Sequence, residues 1–268
     1  MSDIKVCPIT GHEMKLSFSE IVLRKYDVDY YSCEECGILQ TEKPYWLDEA
    51  YQDAIGITDT GMVSRNISNQ KILEPILERM FNSEGKFLDV GGGYGLLTRL
   101  MRDIGFDCYT FDRYCENMFA KYFEPIAGFK ADALFCFEVF EHIEDPYVFI
   151  RDMFIRYCCK TIIFSTLVYE NSIPSRDWWY YSFDGGQHIT FYQSRTLSLL
   201  ANRLGCHYYM INHGLHIITD VKLTKLDKYL FSNKYLFRIF ALYTRYKRRR
   251  LSKTWDDHLL MKKEISKG

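Results

Sequence analysis

The stretch Lys86-Phe-Leu-Asp-Val-Gly-Gly-Gly-Tyr-Gly-Leu-Leu-Thr-Arg-Leu-Met101 decides the fold. It begins with a short apolar run that ends in an acid and continues with four glycines within five residues. Apolar residues at three- and four-residue spacing then indicate a helix. A strand, a tight glycine turn and a helix form the opening unit of a nucleotide-binding α/β sheet. Glycine suits the turn because a side chain would hold the backbone away from a ligand at the strand end.

The spacing of the glycines distinguishes between ligands. The dinucleotide fingerprint Gly-x-Gly-x-x-Gly is incomplete, because its third position falls on Leu96 or on Thr98. The pattern present is an acid followed by alternating glycines, namely Asp89, Gly91, Gly93 and Gly95. It resembles the first motif of the class I methyltransferases that use S-adenosylmethionine. A nucleotide or dinucleotide site and a glycine turn without a ligand are the alternatives.

This resemblance covers roughly residues 60–220 and implies a fold. The expected fold class is α/β, with a Rossmann-like, mostly parallel sheet of seven strands flanked by helices. In the family, the glycine turn lies against the methionine part and the ribose of the donor, and the acid helps to hold them. Asp112 follows an apolar run and lies 23 residues after Asp89, near the spacing of about 20 at which an acid accepts from ribose hydroxyls. The alternative for Asp112 is a solvated turn residue.

A second motif follows the buried strand expected at 133–137. The sequence Glu138-Val-Phe-Glu-His-Ile-Glu-Asp-Pro146 resembles the Glu-x-x-Glu-His…Asp-Pro signature of small-molecule methyltransferases. The resemblance implies that Glu138 borders the donor and that Glu141 and His142 lie at the mouth of the pocket. The alternative for the two glutamates is that they complement a helix dipole.

The segment 171–191 is rich in aromatic residues and lacks helical periodicity. It resembles the family's loop with Trp-x-Tyr and then Gly-x-His, which closes over the acceptor. An oxygen acceptor needs a base, and an imidazole titrates near neutrality. We expect His188 in this role, with His142 as the other candidate. A histidine bonded to the backbone at the base of the loop is the alternative.

Residues 1–45 contain the pattern of a metal site. Cys33-x-x-Cys36 followed by glycine has the shape of a metal knuckle, and Cys7 and His12 are the candidates for the two further ligands of a zinc ion. The segment resembles zinc-binding segments that precede some sugar and small-molecule methyltransferases. Those segments read Cys-Pro-x-Cys-Gly, whereas this chain has Thr10 in place of the second cysteine. A thiol pair in a plain hairpin is the alternative, and a redox pair is less favoured.

Residues 221–268 are expected to form a helical, aromatic and basic tail. Its cations within one short run are Arg245, Lys247, Arg248, Arg249, Arg250 and Lys253. Such a helix fits an anionic membrane surface. The alternative is a helix packed on the domain with a solvated basic end. No apolar run is long enough to span a bilayer.

Composition limits the function classes. The 268 residues have a net charge of −1, so no overall field favours nucleic acid, and nucleic acid is not an expected partner. The first 20 residues lack an apolar signal core. Nine cysteines, mostly isolated, fit a reduced cytoplasmic protein, at the inner face of the membrane if the tail binds there.

The expected function is methyl transfer from S-adenosylmethionine to a small molecule. A sugar, a nucleotide-sugar or a lipid-linked saccharide is the favoured acceptor, because of the likeness to the zinc segments of sugar methyltransferases. An RNA methyltransferase with a zinc segment is one alternative. A non-catalytic interaction module that keeps the fold is the other, and the intact glycine motif argues against it. Residues 60–220 are the expected methyltransferase domain.

Overall fold

The structure is a computed structural model that describes residues 4–51, 60–81 and 84–266. The chain divides into two compact units, each assembled from separate parts of the sequence. The first unit comprises Met1–Gly56, Phe137–Arg156 and Lys160–Lys222, and the second comprises Ile57–Cys136, Tyr157–Cys159 and Leu223–Gly268. The units therefore interleave along the sequence, whereas the motifs suggested three consecutive segments.

The described residues form ten strands and eight α-helices. The strands are β1 (Lys15–Val22), β2 (Tyr26–Ser32), β3 (Leu39–Thr41), β4 (Lys86–Val90), β5 (Asp107–Phe111), β6 (Ala133–Cys136), β7 (Thr161–Ser165), β8 (Thr190–Phe191), β9 (His207–Asn212) and β10 (Leu215–Thr219). The helices are α1 (Leu47–Ala50), α2 (Met62–Phe81), α3 (Leu96–Asp103), α4 (Pro146–Arg156), α5 (Ser194–Arg203), α6 (Lys225–Ser232), α7 (Lys234–Lys247) and α8 (Thr254–Ile265).

In the second unit, β4 is the middle strand of three, in the order β5-β4-β6, and it pairs in parallel with both neighbours. Asp89 of β4 lies beside Thr110 on one side and Phe135 on the other. Phe87 and Leu88 are fully buried, as expected for a parallel strand covered on both faces. The strand, glycine turn and helix predicted at 86–101 are confirmed.

The first unit contains two antiparallel arrangements. Strand β10 pairs antiparallel with both β7 and β9. A separate four-stranded sheet has the order β1-β2-β3-β8. Tyr30 and Phe191 of this sheet form an aromatic cluster with Trp46 and Tyr181. The N-terminal sheet therefore takes its fourth strand, β8, from the segment 171–191.

Six strands belong to the α/β part of the fold: the second unit contains β5, β4 and β6, and the first contains β7, β10 and β9. The family resemblance predicts seven strands, so the described residues correct this number to six. The segment 113–132 contains turns and bends but no strand. Its apolar residues are interrupted by turn formers such as Asn117, Pro125 and Gly128, which prevent a continuous run. The mixed α/β, Rossmann-like fold is confirmed.

The basic run 245–253 begins in the last turn of α7, and part of it packs against α2. Arg248 donates two hydrogen bonds to the carboxylate of Glu74, at 2.7 and 2.8 Å. Arg245 and Arg250 also contact this carboxylate, and Arg250 pairs with Glu78 as well. The Glu74 side chain is only 2% exposed, so it depends on these cations. Among the helices that the structure describes, none is both long and apolar enough to cross a bilayer.

Candidate active site and cysteine group

The turn after β4 depends on glycine conformations. The φ angle is +73° at Gly91, +55° at Gly93 and +81° at Gly95, a region that residues with a Cβ rarely adopt. The amide of Gly91 donates to the carbonyl of Phe111 at 2.8 Å, which ties the turn to β5. A Cβ placed on Gly93 would meet no atom within 4 Å. This part of the turn is therefore open to a ligand.

Gly92 lies outside the alternating pattern, and sequence reasoning did not assign it a role. A Cβ at this position would lie 2.3 Å from Thr110 Oγ1 and 2.7 Å from Asp89 Oδ2. Both distances are far shorter than a non-bonded contact, so any side chain here would displace Asp89. The signal in the sequence was the uninterrupted glycine triplet.

Asp112 is held by three backbone amides. Its Oδ2 accepts from Gly93 at 2.9 Å, and its Oδ1 accepts from Tyr114 at 2.7 Å and from Cys115 at 2.9 Å. The structure therefore links Asp112 directly to the glycine turn. Because a carboxylate oxygen can accept more than one hydrogen bond, Oδ2 retains capacity for a ligand hydroxyl.

Asp89 is fully buried at the end of β4. Within the described residues, its Oδ2 has no hydrogen-bond partner, which is unusual for a buried oxygen. Burial, and secondly repulsion by Asp112, raise the pKa of Asp89 to about 7. An unpaired buried oxygen beside an open glycine turn fits the polar groups of a nucleoside ligand.

Glu138 belongs to the first unit. Its φ angle is +56°, a strained value for a residue with a side chain. The amide of Glu138 donates to Ser165 Oγ at 2.7 Å, and this hydroxyl donates to Glu138 Oε1 at 2.7 Å. Ser165 thus fixes both the backbone and the carboxylate of Glu138, a role that the sequence did not indicate.

Glu141, His142 and His188 form a group, with one ligand-type atom from each within 4.8 Å of the others. The Nδ1 atom of His142 contacts the carbonyl of Gln187 at 2.8 Å, and that of His188 contacts the carbonyl of Tyr180 at 2.6 Å. A carbonyl only accepts, so each Nδ1 carries the proton. Each Nε2 of the neutral ring is then an acceptor.

Glu141 supplies the acidic part of this group. It is buried, and neither carboxylate oxygen makes a hydrogen bond of normal geometry within the described residues. Burial raises the pKa of Glu141 to about 7, while the neighbouring His188 opposes the shift. Burial also lowers the pKa values of His142 and His188. The group therefore favours uncharged side chains near neutrality, with imidazoles able to accept a proton.

The aromatic segment 171–191 is largely structural. Tyr181 stacks on Phe183 with ring centroids 5.0 Å apart and meets Phe191 edge to face. Tyr180 is buried, and its hydroxyl accepts from the amide of Leu167 at 3.2 Å. These aromatics were expected to cover an acceptor, but most of them fill the core of the first unit.

Three cysteines meet in the N-terminal segment. The sulfur atoms of Cys7, Cys33 and Cys36 lie within 4.8 Å of one another, and those of Cys7 and Cys36 are 3.5 Å apart. The contact between these two thiols lowers the pKa of Cys7 to about 5 and raises that of Cys36. All three side chains are buried. The sequence prediction that these residues converge is confirmed.

His12 does not join the three cysteines. Its side chain is 68% exposed, and its Nδ1 pairs with the carboxylate of Glu35. The structure thus brings together three of the four residues that the sequence proposed as metal ligands. The expectation that His12 lies in this group is corrected, because the turn after Cys7 directs it outward to solvent.

The family model described as "Methyltransferase domain" matches residues 65–209, which is more than half of the chain. The matched range contains the glycine turn, Asp112, Glu141, His142 and His188. No curated protein matches the chain. The cysteine group and the C-terminal helices lie outside the matched range.

Several solved structures are similar to the chain. The magnesium protoporphyrin IX methyltransferase of Synechocystis matches with a TM-score of 0.44 and 14% identity, over 64% of this chain and 90% of that one. The mitomycin 7-O-methyltransferase gives 0.42 and 13%, over 65% and 59%. The pyocyanin biosynthetic protein gives 0.43 and 13%, over 66% and 62%. The chain spans about three fifths of the length of the last two proteins.

Proposed function

Because the chain belongs to the methyltransferase-domain family, we propose that it transfers a methyl group from S-adenosylmethionine to a hydroxyl oxygen of a saccharide. The single observation that carries the donor assignment is the buried, unpaired oxygen of Asp89 beside an open glycine turn. This combination supports a bound nucleoside-type donor better than a glycine turn without a ligand. The alternating glycines support S-adenosylmethionine over a dinucleotide.

The proposed donor-binding residues are Asp89, Gly91, Gly93, Gly95, Asp112 and Glu138. Asp112 accepts from the ribose hydroxyls, and its three amide contacts keep it in position before the ligand arrives. The glycines of the turn, which have no side chains, leave room for the methionine part of S-adenosylmethionine. When bound, S-adenosylmethionine supplies a methyl group that is already activated by its sulfonium, so the protein needs to orient the acceptor and exclude water.

His188 is the proposed base. Its Nδ1–H is held by the carbonyl of Tyr180, so Nε2 accepts the proton that the acceptor hydroxyl loses. Glu141 lies beside the ring, and in its ionised form, which is available at and above about pH 7, it is the counter-ion of the imidazolium that forms. His142 has the same tautomer and is the second candidate. This arrangement supports a hydroxyl acceptor, because a hydroxyl must lose its proton when its oxygen is methylated and a neutral imidazole can accept that proton.

The saccharide class rests on the cysteine segment and its likeness to the zinc segments of sugar methyltransferases. We further propose that Cys7, Cys33 and Cys36 hold a structural zinc ion in this segment, because three buried thiols at these distances suit a soft cation.

A lipid-linked saccharide is the proposed form of the acceptor, and the exposed face of α7 supports it. Five large side chains on this face are between 58% and 86% exposed, namely Tyr235, Ile239, Leu242, Tyr243 and Tyr246. Lys234, Arg238 and Lys247 accompany them, and α7 contains no acid. An apolar face with basic flanks complements an anionic lipid surface. The protein would then act from the cytoplasmic side of a membrane.

The test of this function has two stages. Calorimetry should detect binding of S-adenosylmethionine, with no comparable binding of NAD. Transfer of a labelled methyl group is then measured on nucleotide-sugars, lipid-linked saccharides and RNA. Binding of NAD alone would exclude a methyl donor site, and labelling of RNA alone would replace the saccharide proposal with the RNA alternative.

A further inference from the structure

The cysteine group is built from two turns with the same backbone geometry. In the first, the amide of Gly11 donates to the carbonyl of Cys7 at 2.9 Å, and φ at Gly11 is +76°. In the second, the amide of Gly37 donates to the carbonyl of Cys33 at 2.8 Å, and φ at Gly37 is +73°. The amides of both leading cysteines also donate to the carbonyl five residues ahead, at 2.8 and 2.9 Å.

Because the turns are equivalent, so are the residues three positions after each leading cysteine. In the second turn this residue is Cys36, and in the first it is Thr10. The Oγ1 atom of Thr10 lies 3.5 Å from Cys33 Sγ, and Cys7 Sγ lies 3.5 Å from Cys36 Sγ. Each contact joins one turn to the other, so Thr10 stands where a fourth thiol would complete the group.

These distances fit a tetrahedral ion. Zinc–sulfur bonds of about 2.3 Å place neighbouring sulfurs about 3.8 Å apart in a tetrahedron. The distance between Cys7 Sγ and Cys36 Sγ is close to one edge of such a figure, and the Thr10 hydroxyl lies 3.5 Å from the third sulfur, that of Cys33. His12 is already paired with Glu35 on the surface, which leaves Thr10 as the residue next to the fourth corner.

We propose that Cys7, Cys33 and Cys36 bind one zinc ion through three thiolates, and that the fourth position, beside the Thr10 hydroxyl, takes an exchangeable water molecule. A neutral aliphatic hydroxyl is a far weaker zinc ligand than a thiolate, but it can hold a water by a hydrogen bond. Three thiolates give the centre a net charge of −1, against −2 for four. The site then differs from a closed structural site because one position accepts small ligands. This inference rests on the zinc part of the proposed function and not on methyl transfer.

The experiment uses the full-length chain loaded with Co²⁺ or Zn²⁺. The wild type should bind one ion per chain, and Cys33→Ser should abolish this binding. Thr10→Cys should bind Zn²⁺ at least about tenfold more tightly, because a fourth thiolate replaces a water. The sulfur-to-cobalt absorption of this variant should be stronger, in proportion to four thiolate ligands instead of three. His12→Ala should match the wild type in both respects.

A second measurement does not depend on how well Thr10→Cys folds. Imidazole or azide added to the Co²⁺ form of the wild type should change its visible spectrum by occupying the fourth position. The proposal is overturned if the wild type binds no metal, if His12→Ala loses metal as Cys33→Ser does, or if the added ligands leave the wild-type spectrum unchanged. Failure of methyl transfer, with these metal results obtained, would overturn the proposed function alone.

Discussion

Asp89 in the second unit and Glu141 in the first are both fully buried carboxyl groups with a pKa raised to about 7. They differ in their neighbours. The charged group that acts on Asp89 is another acid, Asp112, which raises its pKa. The charged group that acts most strongly on Glu141 is the imidazole of His188, which lowers its pKa. The comparison suggests that one buried acid is prepared to receive hydrogen bonds from a ligand and the other to balance a proton that moves.

The largest effect should come from breaking the first-unit group. His188→Ala should reduce kcat by about 10²–10⁴-fold, the usual contribution of a general base. The affinity for S-adenosylmethionine should not change, because the donor residues remain. Methyl-transfer assays with labelled donor measure kcat, and calorimetry measures the donor affinity. A variant with unchanged kcat would remove His188 from the mechanism.

The pH dependence of stability should distinguish the two acids from ordinary carboxylates. In the folded chain Glu141 binds its proton up to about pH 7, against 4.5 for its ordinary value. The folded state therefore holds more protons between these values, and stability should fall as the pH rises through this window. The loss is about 3 kcal/mol for Glu141 at the scale of 1.36 kcal/mol per pKa unit.

Glu141→Gln should remove this loss, since glutamine stays neutral. Denaturant unfolding should then show the variant to be more stable than the wild type at pH 8 but not at pH 5. Asp89→Asn should behave in the same way and serves as the matched variant in the other unit. Equal unfolding free energies of wild type and both variants at pH 8 would contradict the raised pKa values.

The donor side should respond more moderately. Asp112→Ala removes a charged acceptor from the ribose, and hydrogen bonds to charged groups contribute about 1.5–3 kcal/mol, or about 10- to 100-fold in Kd. Asp132→Ala is the matched control, because Asp132 also accepts from a backbone amide, that of Lys86, but at the opposite end of β4. Calorimetry should find weaker donor binding only for Asp112→Ala.

The smallest effect concerns the surface of the second unit. Ile239→Asp on α7 should weaken binding to vesicles that contain anionic lipid by about tenfold, by loss of one partly inserted side chain and addition of a negative charge. Ile126→Asp is the control, since Ile126 is 80% exposed but outside α7. Cosedimentation measures both. Two outcomes would contradict a membrane contact through α7. One is equal vesicle binding by the two variants, and the other is wild-type binding that is as strong to neutral vesicles as to anionic ones.

The features predicted correctly from the sequence are those encoded within one short stretch. The glycine turn and the strand before it could be predicted because about ten neighbouring residues specify them. The link between Asp112 and the amide of Gly93 agrees with the expected spacing of the two acids. Convergence of Cys7 with the Cys33–Cys36 pair was also anticipated, since a metal knuckle needs further ligands.

The features that were missed depend on contacts distant in sequence. Thr10 was read as a lost ligand, because only the matching hydrogen bonds of the two turns show that its hydroxyl lies beside the thiols. The ion pair between Arg248 and Glu74 joins residues 174 positions apart, so the sequence indicated only a membrane surface or solvent as the surroundings of the basic run. Tyr181 was assigned to an acceptor loop because nothing local shows that its ring meets Tyr30.

The pairing of β3 with β8 has a consequence for synthesis on the ribosome. Gln40 is buried and donates to Thr190 Oγ1 at 3.0 Å, across a separation of 150 residues. At translation rates of about 5–20 residues per second, residue 190 follows residue 40 after roughly 8–30 s. The first three strands emerge early, but the edge of β3 is without its native partner strand throughout this interval. The nascent chain thus carries an open strand edge for seconds, and this is the period in which a chaperone would be of most use to it.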